Sequence, residues 1–317
     1  MTVFENNIIN IYGEYGRAWL SGLPQLVGMI AFEYDLSDLK PVSNLSYNYV
    51  LSGSHGAQSI ILKLSPDIEG LNREAAALLA FAGSSAAKVL AVNDGMLILE
   101  CAVPGDSLKS YFPIKDDEAV LIACDAIKSI NLIYNRSRAA PKGDGFSSVI
   151  DLSTRAPRFP HIKDWLVTLD VGSKLTGYRN WGMLVTYLKK AKLLRDNLLE
   201  TQDKPILLHG DLHHDNILQH GTTWVVIDPK GVIGEMAYEV AAFLRNPIPE
   251  LIVAEDIDSI ISNRIASFAK ILGLAPQRII DWSFVQAVLA WVWALEDGCD
   301  ADSFMCLAAI FDKIGTN

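Results

Sequence analysis

Apolar and polar positions change rhythm along this chain. Two β-forming runs, residues 47–51 and 59–64, stand on either side of Ser52-Gly53-Ser54-His55-Gly56-Ala57, and alternation broken by a small-residue turn predicts a hairpin. Residues 88–93 and 96–101 predict a second hairpin through Asp94-Gly95, a dipeptide suited to tight turns. Between the hairpins, 72–80 reads as a helix. Beyond Pro104 the spacing becomes helical: Val120, Cys124, Ile127 and Ile130 form one apolar stripe. Leu184, Leu188, Ala191, Leu194 and Leu198 form another, with Lys189, Lys190, Lys192 and Arg195 opposite. Further helices are predicted over 256–272, 277–282 and 283–296. Residues 1–40 read as a cap with a short helix near 12–20, and 139–160 as a long connection lining the site. No internal repeat is present. The pattern predicts an α+β chain: a β-rich N-lobe with its cap over 1–103 and a larger helical C-lobe over 104–317.

One stretch is polar where its surroundings are apolar. Leu207-Leu208 and Ile217-Leu218 flank the turn from His209 to Asn216, and Val225-Val226-Ile227-Asp228 ends a neighbouring short strand on a carboxylate. Asp211 and Asn216 then share one tight loop, with Asp228 close by. Moving a γ-phosphoryl group requires a carboxylate that orients the attacking hydroxyl and accepts its proton, and hard oxygen ligands that hold Mg²⁺ against the triphosphate. Asp211 fits the base, and Asn216 and Asp228 fit the metal ligands. Turn propensity accounts for any one of these residues, but less well for the ordered set. His213, His214 and Asp215 lack the second ligand cluster that zinc sites usually show.

A cation for the phosphates is expected on the strand Ile61-Leu62-Lys63, and Glu74 in the next helix is placed to pair with Lys63, with Glu69 as the fallback. The competing reading of Lys63 is a solvated edge charge. Gly53 and Gly56 in the preceding turn admit backbone N–H groups to phosphate oxygens without side-chain obstruction.

His209 to Leu218, followed by Asp228-Pro229-Lys230-Gly231, Gly234-Glu235, Ala237-Tyr238-Glu239 and Leu244-Arg245-Asn246-Pro247, resembles the aminoglycoside phosphotransferase family. The likeness points in particular to its streptomycin 6-kinase and hydroxyurea phosphotransferase branch. It covers most of the chain and is strongest over 205–247. The resemblance implies a protein-kinase-like two-lobed fold with ATP or GTP between the lobes. Backbone amides at Ala102 and Val103 would meet the purine, and streptomycin, a similar aminocyclitol or hydroxyurea would be the acceptor. Choline, fructosamine, homoserine and methylthioribose kinases share the His-Gly-Asp core and stay open as alternatives, as does a non-catalytic nucleotide-binding module.

Charge narrows the partners. With 317 residues, half of them hydrophobic, the chain can bury a sizeable core, and a formal net charge of -10 disfavours a nucleic-acid backbone and suits a small cationic acceptor. Carboxylates near the mouth of the site are then expected from Glu235, Glu239, Glu296 and Asp297, while Lys230 is either a second phosphate cation or a solvated turn lysine. Four cysteines without a C-x-x-C pair suggest reduced thiols, and the apolar run 287–295 is too short to span a bilayer. A cytoplasmic protein with no membrane partner is expected; its oligomeric state is open.

Overall fold

The computed structural model describes residues 1–43, 45–134, 158–170, 181–298 and 301–316. The connection expected over 139–160 therefore falls outside the described residues up to position 157. The N-lobe is a five-stranded antiparallel sheet in the order β1 (Leu36–Pro41), β2 (Tyr49–His55), β3 (Gln58–Leu64), β5 (Met96–Glu100) and β4 (Val89–Asn93). Strand alternation gives this sheet two buried faces. Ile60, Leu62 and Leu64 join Phe4, Ile8, Leu23 and Ile30 of α1 (Val3–Glu33) on one side. On the other side Val92, Leu97 and Leu99 pack with Leu71, Ala75 and Leu78 of α2 (Ile68–Ala80). Full burial of each such Leu or Ile is worth about 1.5–3 kcal/mol.

The cap is larger than the helix expected near 12–20. A Thr2 capping box starts α1, and the backbone breaks at Gly13 (φ 56°, ψ -129°), where the helix folds back on itself. The return brings the rings of Phe4 and Trp19 to 6.3 Å, and a Cβ at position 16 would stand 2.6 Å from the Ile8 carbonyl oxygen. Only glycine permits that approach. Glycines that read as breaks in sequence thus allow a helical hairpin.

The C-lobe is built around α8 (Pro276–Glu296), which unites the two helices expected over 277–296. It packs against α5 (Trp181–Glu200), α6 (Met236–Leu244), α7 (Ile257–Leu272) and α9 (Asp302–Gly315), with α3 (Asp116–Tyr134) and the short α4 (Ile162–Leu166) contributing to the same core. By length and composition α8 could cross a membrane, yet two-thirds of its most apolar window is buried inside the protein. Two small sheets carry the polar stretch: β7 (Ile206–Leu208) pairs with β10 (Val232–Gly234), and β6 (Pro104–Ser107), β8 (Ile217–His220) and β9 (Thr223–Val226) form the other. The lobes are stitched by Ala87 N–H to Val226 O (3.0 Å) and Val226 N–H to Ser85 O (2.6 Å). Cys101, Cys124 and Cys306 carry free thiols, while Cys299 lies outside the described residues.

Candidate active site

The loop between β7 and β8 is held by hydrogen bonds to neighbouring segments and to buried side chains. Gly210 takes φ 85°, which favours glycine, and Lys230 N–H closes on His209 O at 2.7 Å. Burial pushes the His209 imidazole down to about 4, so the ring is neutral; Nε2–H donates to Ile227 O (2.8 Å) and Nδ1 accepts from Asp211 N–H (3.3 Å). Asn216 donates Nδ2–H to Asp211 O at 2.8 Å, an orientation in which its side-chain oxygen is the atom able to meet a cation. The pairing of Ile217 with Val226 and the bond from Ile227 N–H to Asn216 O (3.0 Å) bring Asn216 beside the Asp228 segment. The structure thus gathers Asp211, Asn216 and Asp228 in one place.

Charges lock this arrangement. Asp211 Oδ1 accepts from Arg245 Nη2 at 2.9 Å; burial raises its pKa, but the guanidinium prevails and holds the carboxyl below its ordinary value. Asp228, at φ 59°, accepts from Lys63 Nζ at 2.5 Å and Lys230 Nζ at 3.0 Å. Lys63 also donates to Glu74 Oε2 at 2.6 Å and is buried, so it is no solvated edge charge. Burial pulls on all three. Asp228 ends well below the usual carboxylate range because two ammonium groups face it, whereas burial pushes Glu74 up to about 7 despite Lys63. α2 follows β3 in sequence and packs on the face of the sheet that carries Ile61 and Lys63, which brings Lys63 and Glu74 together.

Several expected site residues lie elsewhere. Gly53 is inside β2, opposite Ile60, where a Cβ would stand 2.6 Å from the Leu39 side chain and 2.9 Å from Ser37 O. It serves packing of β1 on β2. Gly56 (φ 57°) sits in the turn between β2 and β3, at the far end of β3 from Lys63, about 17 Å along the strand for five residues. The segment near the Lys63 end is instead the β1–β2 connection. Its residues Tyr47 and Asn48 line a cavity of about 350 Å³ with Tyr12, Glu74, Trp165, Asp228 and Lys230. Val103 N–H is taken by His220 Nδ1 (3.3 Å) and its carbonyl by Gly221 N–H (2.7 Å), so both of its backbone groups are used inside the protein. Ala102 stands beside His220 and Glu100 in a small cleft.

The expected acceptor carboxylates divide into two pairs. Glu235 is buried and accepts from Arg278 Nε at 2.8 Å and from the Trp282 indole N–H. Glu239 is buried beneath the 209–216 loop, with Oε2 accepting from His209 N–H (2.6 Å) and Oε1 from Gly210 N–H (2.9 Å). Their lone pairs face inward, which corrects the expectation for both. Glu296 and Asp297 are exposed at the end of α8. Nearby Trp293 meets Trp165 edge to face at 6.4 Å between ring centroids, and Trp165 stands against Gly210 of the 209–216 loop. The sequence reading missed Trp165 and the role of Arg245. Among the described residues, no group of three or more His, Cys, Asp or Glu is placed to hold a metal.

The description "aminoglycoside/hydroxyurea antibiotic resistance kinase" belongs to the family model that matches residues 37–298. The chain belongs to this family. The kinase is similar to the streptomycin 3''-kinase of Klebsiella pneumoniae, 27% identical over 224 residues that span 68% of this chain and 73% of the relative. It is also similar to the streptomycin 6-kinase of Streptomyces griseus, 23% identical over 298 residues, 91% of this chain and 88% of the relative. Its fold matches that of a thermostable mutant of aminoglycoside phosphotransferase APH(4)-Ia in a ternary complex with ADP and hygromycin B, with TM-score 0.63, 15% identity, and 91% and 97% of the two chains covered. Choline kinase LicA of Streptococcus pneumoniae matches at TM-score 0.63 with 10% identity, covering 92% and 99%. The kinase is thus a phosphotransferase with an alcohol group as acceptor, a small-molecule antibiotic kinase on a protein-kinase-like fold.

Proposed function

We propose that this kinase moves the γ-phosphoryl group of ATP or GTP onto a hydroxyl of a cationic aminoglycoside-type antibiotic such as streptomycin, with hydroxyurea as the neutral alternative. The observation that carries this reading is the convergence of Asp211, Asn216 and the Lys63–Asp228 pair on one cleft. Lys63 acts as a point charge on the phosphates, with Lys230 as the second cation. Asp211 orients the acceptor hydroxyl and takes its proton as the new O–P bond forms and the bond from the γ-phosphorus to the β–γ bridging oxygen breaks, leaving a nucleoside diphosphate. Asn216 and Asp228 supply two hard oxygens and no thiolate, a donor set that suits Mg²⁺ completed by phosphates and water. When bound, Mg²⁺ neutralises charge on the triphosphate.

Trp165 and Trp293 lead from the catalytic loop to Glu296 and Asp297, which makes this edge the acceptor wall in our reading. Aromatic faces and carboxylates together attract guanidinium and ammonium groups. The names of the two relatives support streptomycin. A cytoplasmic setting, where nucleotide is available, and the absence of a nucleic-acid or membrane partner belong to the same proposal. The test is a phosphotransfer screen of the purified protein with both nucleotides against streptomycin, other aminoglycosides, hydroxyurea, choline and amino sugars, with and without Mg²⁺. Magnesium-dependent turnover of streptomycin or hydroxyurea supports the reading. Turnover of choline or an amino sugar alone replaces the acceptor class, and no turnover of any acceptor overturns it.

A further inference from the structure

A catalytic carboxylate tied to an arginine poses a chemical question, because a cation beside a base makes it a weaker base. The contact is also built with some care. Arg245 ends α6, and its guanidinium uses both terminal nitrogens: Nη2 donates to Asp211 Oδ1 at 2.9 Å and Nη1 to Gln286 Oε1 at 2.8 Å. Gln286 is itself fixed, since its Nε2 donates to Tyr238 O at 2.6 Å from within buried α8. The chain from Tyr238 through Gln286 and Arg245 to Asp211 therefore has a firm buried end and a partly open one, with side-chain exposures of 17% for Arg245 and 25% for Asp211. An ordinary exposed ion pair lacks such backing, and its side chains wander.

We propose that Arg245 is the positioning residue of the catalytic carboxylate: it takes Oδ1 of Asp211, fixes the plane of the carboxyl group, and so presents Oδ2 to the acceptor hydroxyl. This rests on the reading of Asp211 as the base. The chemistry tolerates the loss in basicity because phosphoryl transfer runs through a loose transition state, in which orientation counts for more than base strength. His213 Nε2 lies 3.8 Å from Oδ2, beyond hydrogen-bond distance, so Oδ2 can still accept from a hydroxyl. The proton passes from the hydroxyl to Oδ2 while the γ-phosphoryl group moves from nucleotide to acceptor oxygen, and Arg245 stays charged throughout. The same helix supports the loop a second time, because Glu239 of α6 holds the His209 and Gly210 amides.

The test uses the full chain with MgATP and streptomycin, and compares Arg245→Ala, Arg245→Lys, Gln286→Leu and Asp211→Asn. Arg245→Ala is expected to lose about 10²-fold in kcat with the KM for ATP near wild type, as for a misplaced catalytic group. Added guanidinium ion should restore part of that kcat, an effect that a purely structural role does not give. Arg245→Lys should retain more activity than Arg245→Ala, and Gln286→Leu should lower kcat in the same sense by a smaller factor. Arg245→Ala with unchanged kcat, with a loss that guanidinium does not relieve, or with a raised KM for ATP at constant kcat overturns the inference; the last would make Arg245 a phosphate ligand. Asp211→Asn separates the two levels. If it is inactive while Arg245→Ala is fully active, only this inference fails, whereas a fully active Asp211→Asn, or a wild type that modifies no acceptor, removes the reading beneath it.

Discussion

The loop at Asp211 and the sheet face at Lys63 meet at the same cleft, but the chain builds them by opposite routes. Asp211, Asn216 and Asp228 lie within 18 positions of one another, and two adjacent short strands bring them together. The face around Lys63 is assembled from β1, β2, β3 and α2, and Lys63 reaches Asp228 across 165 positions. Local chemistry is carried by residue type and spacing. A face made by strand pairing depends on register, which no single segment contains.

That difference orders the expected effects of substitution. Glu235 follows Asp228 closely in sequence yet belongs to the buried core, so Glu235→Ala should destabilise the fold by roughly 3–5 kcal/mol by stranding Arg278 and Trp282. Urea unfolding reads this, and an effect confined to the acceptor KM would return Glu235 to the site. On the assembled side, Lys63→Met should lower kcat/KM for nucleotide by roughly 10²- to 10³-fold in the folded protein, as expected for a preorganised charge on the reacting group. A variant with normal nucleotide kinetics would mean that Lys63 only braces Glu74 and Asp228.

The loop's hidden support gives a pH signature. Burial pushes the Glu239 carboxyl from its ordinary 4.5 up to about 7, outweighing the amides of Gly210 and His209. A folded pKa above the unfolded one means that unfolding releases a proton in this window, so the contribution of Glu239 to stability falls as pH rises from about 4.5 to 7. The stability of wild type minus that of Glu239→Gln should therefore decline by up to about 1.4 kcal/mol per pH unit across the window. A flat difference in urea titrations at pH 5, 6 and 7 would show that Glu239 is ionised throughout. The smallest effect separates the two turns. Gly56→Ala should cost about 1 kcal/mol for its left-handed backbone and leave the nucleotide KM alone, whereas Asn48→Ala should raise that KM. The reverse result would put the phosphates back over the turn at Gly56.

The sequence reading succeeded and failed along the same line. Lys63 and Glu74 were legible because a strand and the helix that follows it fix their relation. Gly53 and Gly56 were misplaced by one hairpin: β1, spelled Leu-Ser-Asp-Leu-Lys-Pro, shows weak alternation and pairs with β2 through a register shift between Ser37 and Lys40. Without β1, the turn after β2 is the glycine-bearing loop next in sequence to the strand that carries Lys63. Glu239 was misread because residue type does not reveal direction. A signal existed, since a lone carboxylate in the apolar helix Met-Ala-Tyr-Glu-Val-Ala-Ala-Phe-Leu must find donors inside the protein. Arg245 carried no such mark, because its partner lies 34 positions away and is reached only once α6 docks.

The central claim, that the loop at Asp211 transfers phosphate to a hydroxyl, is tested most directly by following streptomycin by mass spectrometry in the presence of ATP, Mg²⁺ and either wild type or Asp211→Asn. The account predicts that wild type adds one phosphoryl group and that the variant does so roughly 10²- to 10⁴-fold more slowly, with ATP binding by calorimetry little changed. Equal rates for the two proteins would contradict it.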